Sequence, residues 1–183
     1  MRRRLFCLLL LLLLASGCVP AASFIVKDVS VSVREGSYCL DARIDYRLTP
    51  EVEEALRNGV PLTLRVELVV GKMWRGFWEP NPLSRTLRYQ IRYHALTQLY
   101  RVVDMQTGED QSFVTQDAAL YALGEIDDMT LVPGSELRPD EGYQLRLRAD
   151  LEIDSLPLPL QPLAYLGQGW RLTTGWTQWP LQP

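Results

Sequence analysis

Strict alternation of apolar and polar residues is the feature that most limits what this chain can fold into. It runs through 38–48, 62–70, 87–95 and 143–153, so each segment predicts a strand with one apolar and one polar face. Parallel sheets bury both faces, and one-sided strands therefore favour antiparallel sheets that close on a shared core. We expect a mainly β protein, an antiparallel β-sandwich that is immunoglobulin-like in general shape.

Other segments add detail to this fold. An opening strand is expected over 24–33, with a β-bulge near Lys27-Asp28 where the alternation changes phase. Two short connecting helices are expected, one from the cap Thr49-Pro50-Glu51 to Asn58-Gly59, and one from Thr115 to Gly124. The proline-rich run 156–162 is expected to be extended and polyproline-like, because proline fixes φ.

The first eighteen residues predict export. Met1-Arg2-Arg3-Arg4 is a cationic start, and Ala15-Ser16-Gly17 are small residues that follow an apolar run from Leu5 to Leu14. That run has 10 residues, and a bilayer crossing needs roughly 20. We therefore interpret 1–17 as a signal peptide and 18–183 as a single domain on the periplasmic side of the cell envelope.

Two processing sites fit this signal peptide. Small residues before Cys18 resemble the lipobox of bacterial lipoproteins, in which the cysteine is acylated and becomes the new N-terminus; diacylation would supply the two chains that stable anchoring needs. The alternative is ordinary cleavage after Val19-Pro20-Ala21. Inner-membrane retention usually has Asp after the cysteine, so Val19 favours the outer membrane. Lipidation at Cys18 is the favoured interpretation.

Composition excludes several classes of protein. Without Arg2, Arg3 and Arg4, the 19 basic residues fall to 16 against 22 acidic ones, which argues against a nucleic-acid partner. Cys7 leaves with the signal peptide and Cys18 is acylated or lost, so Cys39 remains alone and no disulfide framework is expected.

Few residues are suited to catalysis. His94 is the only histidine, which excludes a multi-histidine zinc site, and it shares the polar face of its predicted strand with Arg88 and Arg92. Cys39 falls on the polar side of its strand and is expected to be partly accessible, and the acidic residues near Asp150 alternate with arginines. We predict no catalytic, cofactor-binding or metal-ligating residue, and no cofactor.

Two residue classes could serve binding. The five tryptophans could form a sugar platform, although such residues more often fill the core or rim of a sandwich. Proline runs can dock into an aromatic groove of a partner, or form a rigid strap across the sandwich edge. The candidate partner-contact residues are Arg88, Arg92, His94, Pro157, Pro159 and Pro162.

Several blocks together resemble one family. They are Gly36-Ser37-Tyr38-Cys39-Leu40-Asp41-Ala42, Glu53 to Leu62, Tyr93-His94-Ala95-Leu96-Thr97, Leu156-Pro157-Leu158-Pro159-Leu160 and Trp170-Arg171-Leu172. In this order they are similar to domain-of-unknown-function family 4390, the proline-rich signal-peptide proteins of the Gram-negative envelope. The resemblance implies export, one domain and genes often beside a nitrogen-regulation type sensor kinase. It implies no catalytic residues.

The expected function is a non-enzymatic binding or accessory module in the envelope. Its expected partner is an envelope protein, and a membrane sensor kinase is the candidate. The alternative is a glycan-binding module that uses exposed tryptophans, and a hydrolase is the least favoured interpretation. The sequence leaves the ligand and the oligomeric state open.

Overall fold

The computed structural model describes residues 23–74, 77–138 and 142–181. The predicted signal peptide and Cys18 lie outside the described residues. Within them the chain forms strands β1 (Phe24–Arg34), β2 (Ser37–Tyr46), β3 (Leu62–Trp74), β4 (Phe77–His94), β5 (Leu99–Asp104), β6 (Asp110–Phe113), β7 (Glu125–Pro133), β8 (Tyr143–Leu151) and β9 (Thr177–Pro180). It also forms helices α1 (Pro50–Arg57), α2 (Gln116–Gly124) and α3 (Gln161–Leu166). Three 3-10 turns lie at Gly134–Glu136, Ile153–Ser155 and Gln168–Trp170.

The strands form two antiparallel sheets that share one core. The small sheet has the order β1-β2-β7, and the large sheet has the order β6-β5-β4-β3-β8-β9. Residues of both sheets belong to a single buried apolar cluster. The prediction of a mainly β, antiparallel sandwich is therefore confirmed.

The alternation decides which side chains enter the core. Strand β8 buries every second residue from Tyr143 to Leu151, and β3 does the same from Leu62 to Val70. Two of the strands end slightly before the predicted alternation does. Ala95 lies in the turn after β4 and is exposed, and Ile153 begins a 3-10 turn after β8.

The bulge predicted in the first strand is confirmed. Lys27 pairs with Arg43 of β2, whereas Ser30 pairs with Asp41, so β1 carries an extra residue between these pairs. Asp28 takes a positive φ of 46°, which accommodates that extra residue.

The position of Cys39 corrects one expectation. The side chain was expected to be partly accessible, but it is a buried free thiol. Cys39 lies in the central strand of the small sheet, between Ser32 of β1 and Thr130 of β7. Because the side chain is short and has a strand on each side, its neighbours cover it.

Both expected helices are present, and a third was missed. The Thr49 hydroxyl caps α1 by accepting from the Val52 amide, and the Thr115 hydroxyl caps α2 by accepting from the Ala118 amide. The prediction of an extended run over 156–162 is wrong. The Leu160 amide donates to the Pro157 carbonyl at 2.8 Å, and the chain turns there into α3.

Candidate partner-binding surface

The face of the large sheet that points away from the core carries most of its arginines. Strand register brings Arg88 of β4 opposite Arg65 of β3, and Arg65 opposite Asp150 of β8. One step along the strands, Glu67 of β3 lies opposite Arg148 of β8. We call this surface the outer face.

Ion pairs cross the outer face from strand to strand. Arg65 binds Asp150 at 2.9 Å, and Arg148 binds Glu67 at 2.5 Å. Burial alone would lower the pKa of Arg65, but its hydrogen bond to Asp150 and the nearby carboxylates raise that pKa overall. The pairing ties the guanidinium groups of Arg65 and Arg148 to carboxylates of the neighbouring strand.

Two tryptophans lie against neighbouring arginines of β8 on the outer face. The guanidinium of Arg146 is 3.7 Å from the ring centre of Trp78, and that of Arg148 is 4.8 Å from the ring of Trp176. Both distances are in the range of cation–π contacts. Trp78 can lie flat because Gly71 is beneath it, where a Cβ would come within 2.6 Å of the ring.

The remaining tryptophans do not join this pair. Trp170 and Trp179 pack against the core, and the side chain of Trp74 lies outside the described residues. Among the side chains described, the tryptophans of the outer face are therefore Trp78, which is half-buried, and Trp176, which is exposed.

The three predicted contact residues of β4 share the outer face. The guanidinium of Arg88 donates to Glu152 at 3.3 Å, and that of Arg92 donates to the Gly59 carbonyl at 3.2 Å. His94 is half-buried at the end of the strand, where its carbonyl accepts from the Gln98 amide. Both arginines thus already have acceptors just outside the strands, in the turn after α1 and immediately after β8.

The predicted contact prolines lie on a different element. Pro157, Pro159 and Pro162 are exposed in the turn before α3 and in the first turn of that helix. Around them Leu158, Leu163 and Leu166 are also exposed. The sequence interpretation missed this apolar surface. Pro162 is compatible with the first turn of a helix, but it is equally compatible with the extended run that was expected.

Comparison with known proteins adds one finding to this geometry. The sequence profile of a family described as "Domain of unknown function (DUF4390)" matches residues 21–180. The chain belongs to the DUF4390 family. No curated protein and no solved structure matches the chain.

The DUF4390 match covers the whole sandwich from β1 to β9. It begins after Cys18, so the expected lipid anchor rests on the residues of this sequence rather than on the family. None of the helices in the described part of the chain has the length and apolar character that a membrane crossing requires.

Two surface clefts lie near α2. The larger, about 380 Å³, is lined by Lys27, Arg43, Asp45, Asp117 and Tyr121 among others, and the hydrogen bond from Lys27 lowers the pKa of Asp45. The smaller, about 240 Å³, is lined among others by Tyr89 and Asp104. Burial, followed by the charge of Asp104, raises the pKa of Tyr89.

Neither cleft includes His94 or Cys39 in its lining. Among the described residues, no group of three or more histidine, cysteine, aspartate or glutamate side chains is arranged to hold a metal ion. The larger cleft brings together cations and carboxylates, whereas the smaller cleft is lined by the carboxylates of Asp104, Glu109 and Glu125 and by no basic residue. Neither lining contains a tryptophan, and the outer face is the surface on which arginine and tryptophan side chains are paired.

Proposed function

We propose that this protein is an exported lipoprotein of the Gram-negative envelope whose DUF4390 domain is a non-enzymatic binding module. The cationic start, the apolar run and the small residues before Cys18 support export and lipidation. The proposed partner is an envelope protein, and the family resemblance suggests a membrane sensor kinase.

The observation that carries the binding proposal is the pairing of arginine with tryptophan on the outer face. Arginine and aromatic residues are enriched at protein interfaces, whereas lysine is depleted there. Of the 19 basic residues in the chain, only Lys27 and Lys72 are lysines. Arg146 and Arg148 are stacked on rings, so little side-chain entropy is left to lose when a partner binds.

Anchoring is tested by the intact mass of the mature protein. We expect a chain that begins at Cys18 and carries the added mass of acyl chains. A chain that begins at Ala22 or Ser23 without lipid mass would contradict the anchor.

Partner binding is tested by affinity capture of the envelope-anchored protein with its neighbours. Trp176→Ser should lose the captured partner because the ring stacked under Arg148 is removed. Tyr121→Ser is the matched control, since Tyr121 is an exposed ring stacked on Arg43 at 3.6 Å, on the opposite side of the sandwich. Equal capture by both variants would exclude the outer face as the contact surface.

A glycan-binding module is the second candidate, because Trp78 and Trp176 share one face of a sheet. A sugar ring stacks on a free aromatic face. Here an arginine already occupies one side of each ring, so binding would use the other side of Trp176. Quenching of tryptophan fluorescence by soluble peptidoglycan fragments, absent in Trp176→Ser, would favour this candidate over a protein partner.

The non-enzymatic part of the proposal is tested with His94→Gln. We expect purified protein to show no hydrolase turnover and to keep partner capture in this variant. A measured turnover that disappears in His94→Gln, with an unchanged circular dichroism spectrum, would instead support an enzyme that uses His94 as its base.

A further inference from the structure

Helix α3 and the turn before it expose a concentrated apolar surface. The exposed fractions are 79% for Leu158, 64% for Leu163, 48% for Tyr165 and 84% for Leu166. Of the residues in α3 only Ala164 is buried. We call these four side chains the α3 patch; apolar groups that cluster on a surface in this way commonly contact a membrane or another protein.

The α3 patch is held rigidly. The side-chain amide of Gln161 donates to the Asp154 and Leu156 carbonyls, each at 2.9 Å, which ties the start of the helix to the preceding turn. The Gly167 amide donates to the Leu163 carbonyl at 2.8 Å and closes the end of the helix. The leucines therefore project from a short helix that hydrogen bonds hold at both ends.

The α3 patch lies at the same end of the sandwich as the start of β1. Phe24 pairs with Tyr46 across the small sheet, and Thr49 follows only three residues later. The Thr49 hydroxyl donates to the Gly169 carbonyl at 2.9 Å. The turn that contains Gly169 packs directly on α3, so a short series of contacts links Phe24 to the patch.

In the large sheet, the start of β3 and the end of β8 lie at this same end of the sandwich. The Glu152 amide, just after β8, donates to the carbonyl of Thr63 near the start of β3. The opposite end of β3 is the hairpin tip where Trp74 pairs with Phe77. Twelve residues separate Leu62 from Trp74, and at ~3.3 Å per residue the two ends are roughly 40 Å apart.

The chain length from Cys18 indicates which end faces the membrane. Phe24 is the sixth residue after Cys18, and this length of chain can span at most about 20 Å. A lipid on Cys18 would therefore hold the Phe24 end of the domain within about 20 Å of the bilayer, whereas it would place no such limit on the Phe77 end.

We propose that the α3 patch contacts the lipid bilayer and orients the domain on it, with Leu158, Leu163 and Leu166 in the acyl region and Tyr165 at the headgroup level. This inference rests on the proposed lipidation of Cys18. The polar end of Tyr165 suits that depth, because its hydroxyl donates to Asp154 and its carbonyl accepts from Arg171. The anchor supplies the attachment, and the patch supplies the orientation.

The proposal is tested on the mature lipidated chain in vesicles of phosphatidylethanolamine and phosphatidylglycerol that contain nitroxide-labelled lipid. A polarity-sensitive fluorophore is attached to Leu166→Cys, or to Phe77→Cys as the control at the far end; Phe77 is 78% exposed and thus comparably accessible. We expect a blue shift and nitroxide quenching for the label at position 166 and neither for the label at position 77.

A second variant tests the leucines themselves. With the label on Pro159→Cys, replacing Leu158, Leu163 and Leu166 together by serine should reduce the equilibrium constant for docking by roughly tenfold per leucine, while the acyl chains still hold the protein on the vesicle. All three side chains are exposed, so the fold should be unaffected. Unchanged quenching of the label would overturn the proposal.

Three further outcomes separate this inference from the proposed function. If the mass shows acylated Cys18 and the label at 166 remains unquenched, the membrane contact is wrong and the anchor stands. If that label is shielded without vesicles, in proportion to protein concentration, the patch binds a second copy instead. If the mass shows no lipid and vesicles leave the label unchanged, both proposals fail.

Discussion

Leu147 lies at the centre of β8 with its side chain fully buried, and the next residue, Arg148, points to the outer face. Leu147→Asp should abolish folding, because an unpaired buried charge costs several kcal/mol against a total stability of roughly 5–15 kcal/mol. Arg148→Gln should cost about 1 kcal/mol or less, since the ion pair with Glu67 is partly exposed. Urea denaturation of the two variants measures the difference, and equal losses would contradict the register of β8.

For individual residues, the sequence predicts which side chains enter the core better than it predicts which remain on the surface. Alternation alone assigns Leu64, Leu147 and their neighbours correctly, because one face of each strand must be buried. It fails for Cys39, which alternation assigns to the polar face. Burial there depends on Ser32 and Thr130 in two other strands, and no local pattern reports which strand becomes central.

Helices α1 and α2 both begin with a threonine N-cap, so the contributions of the two caps to stability can be compared directly. The Thr49 hydroxyl accepts from the Val52 amide and also donates to the Gly169 carbonyl, whereas the Thr115 hydroxyl accepts only from the Ala118 amide among the described contacts. Thr115→Ala should cost about 1 kcal/mol. Thr49→Ala should cost roughly 1 kcal/mol more, for the lost tertiary hydrogen bond. Thermal unfolding of both variants provides the measurement, and a larger loss for Thr115→Ala would contradict the link between α1 and the Gly169 turn.

The junction of α2 with the small sheet depends on a glycine. A Cβ on Gly124 would lie 2.0 Å from the Ile44 carbonyl oxygen, and a backbone atom cannot move aside as a flexible side chain can. Gly124→Ala should therefore destabilise the protein by about 1–3 kcal/mol. Gly142→Ala is the control, because a Cβ there meets nothing within 4 Å. If both glycines tolerate alanine equally in chemical denaturation, α2 does not approach β2 as closely as described.

Helices α1 and α2 were predictable because their caps lie in the local sequence, and α3 was not. Proline's fixed φ suits both an extended segment and the first turn of a helix, so Pro159 and Pro162 alone do not choose between them. The choice is made by hydrogen bonds such as those from Gln161 to the turn after β8. Such contacts are visible only once β8 and the turn have been placed.

For the whole molecule, the division of the strands between sheets was also beyond the sequence. Strand β7 joins β2, while β8 returns to pair with β3. The ion pairs of the outer face follow from that second pairing, because Arg65 and Asp150 are 85 residues apart in the chain. Alternation predicted a strand face on which carboxylates and arginines neutralise one another, but the topology was required to show which of them pair across strands.

Alkaline pH should reveal how strongly the common core depends on buried tyrosine. Tyr46 packs edge-on against Phe24 with its ring centre 4.8 Å away, and its hydroxyl is buried without a hydrogen-bond partner among the described residues. Burial, and then the nearby Tyr89 and Asp150, raises the pKa of Tyr46 above its ordinary value. The folded state therefore holds a proton that the unfolded chain releases above about pH 10.

This difference in proton binding destabilises the folded state at high pH. Above about pH 10 the unfolded state binds fewer protons than the folded state, so the stability present below that pH decreases by about 1.4 kcal/mol per pH unit for each such group. Tyr46→Phe should remove this contribution, and it should be neutral or stabilising near pH 7, because it deletes an unpaired buried hydroxyl. Urea unfolding at pH 8 and pH 11 measures the effect, with Tyr121→Phe as an exposed control. If Tyr46→Phe keeps the wild-type loss between these pH values, or destabilises at pH 7, the Tyr46 hydroxyl has a partner in the folded protein and this account of the core is wrong.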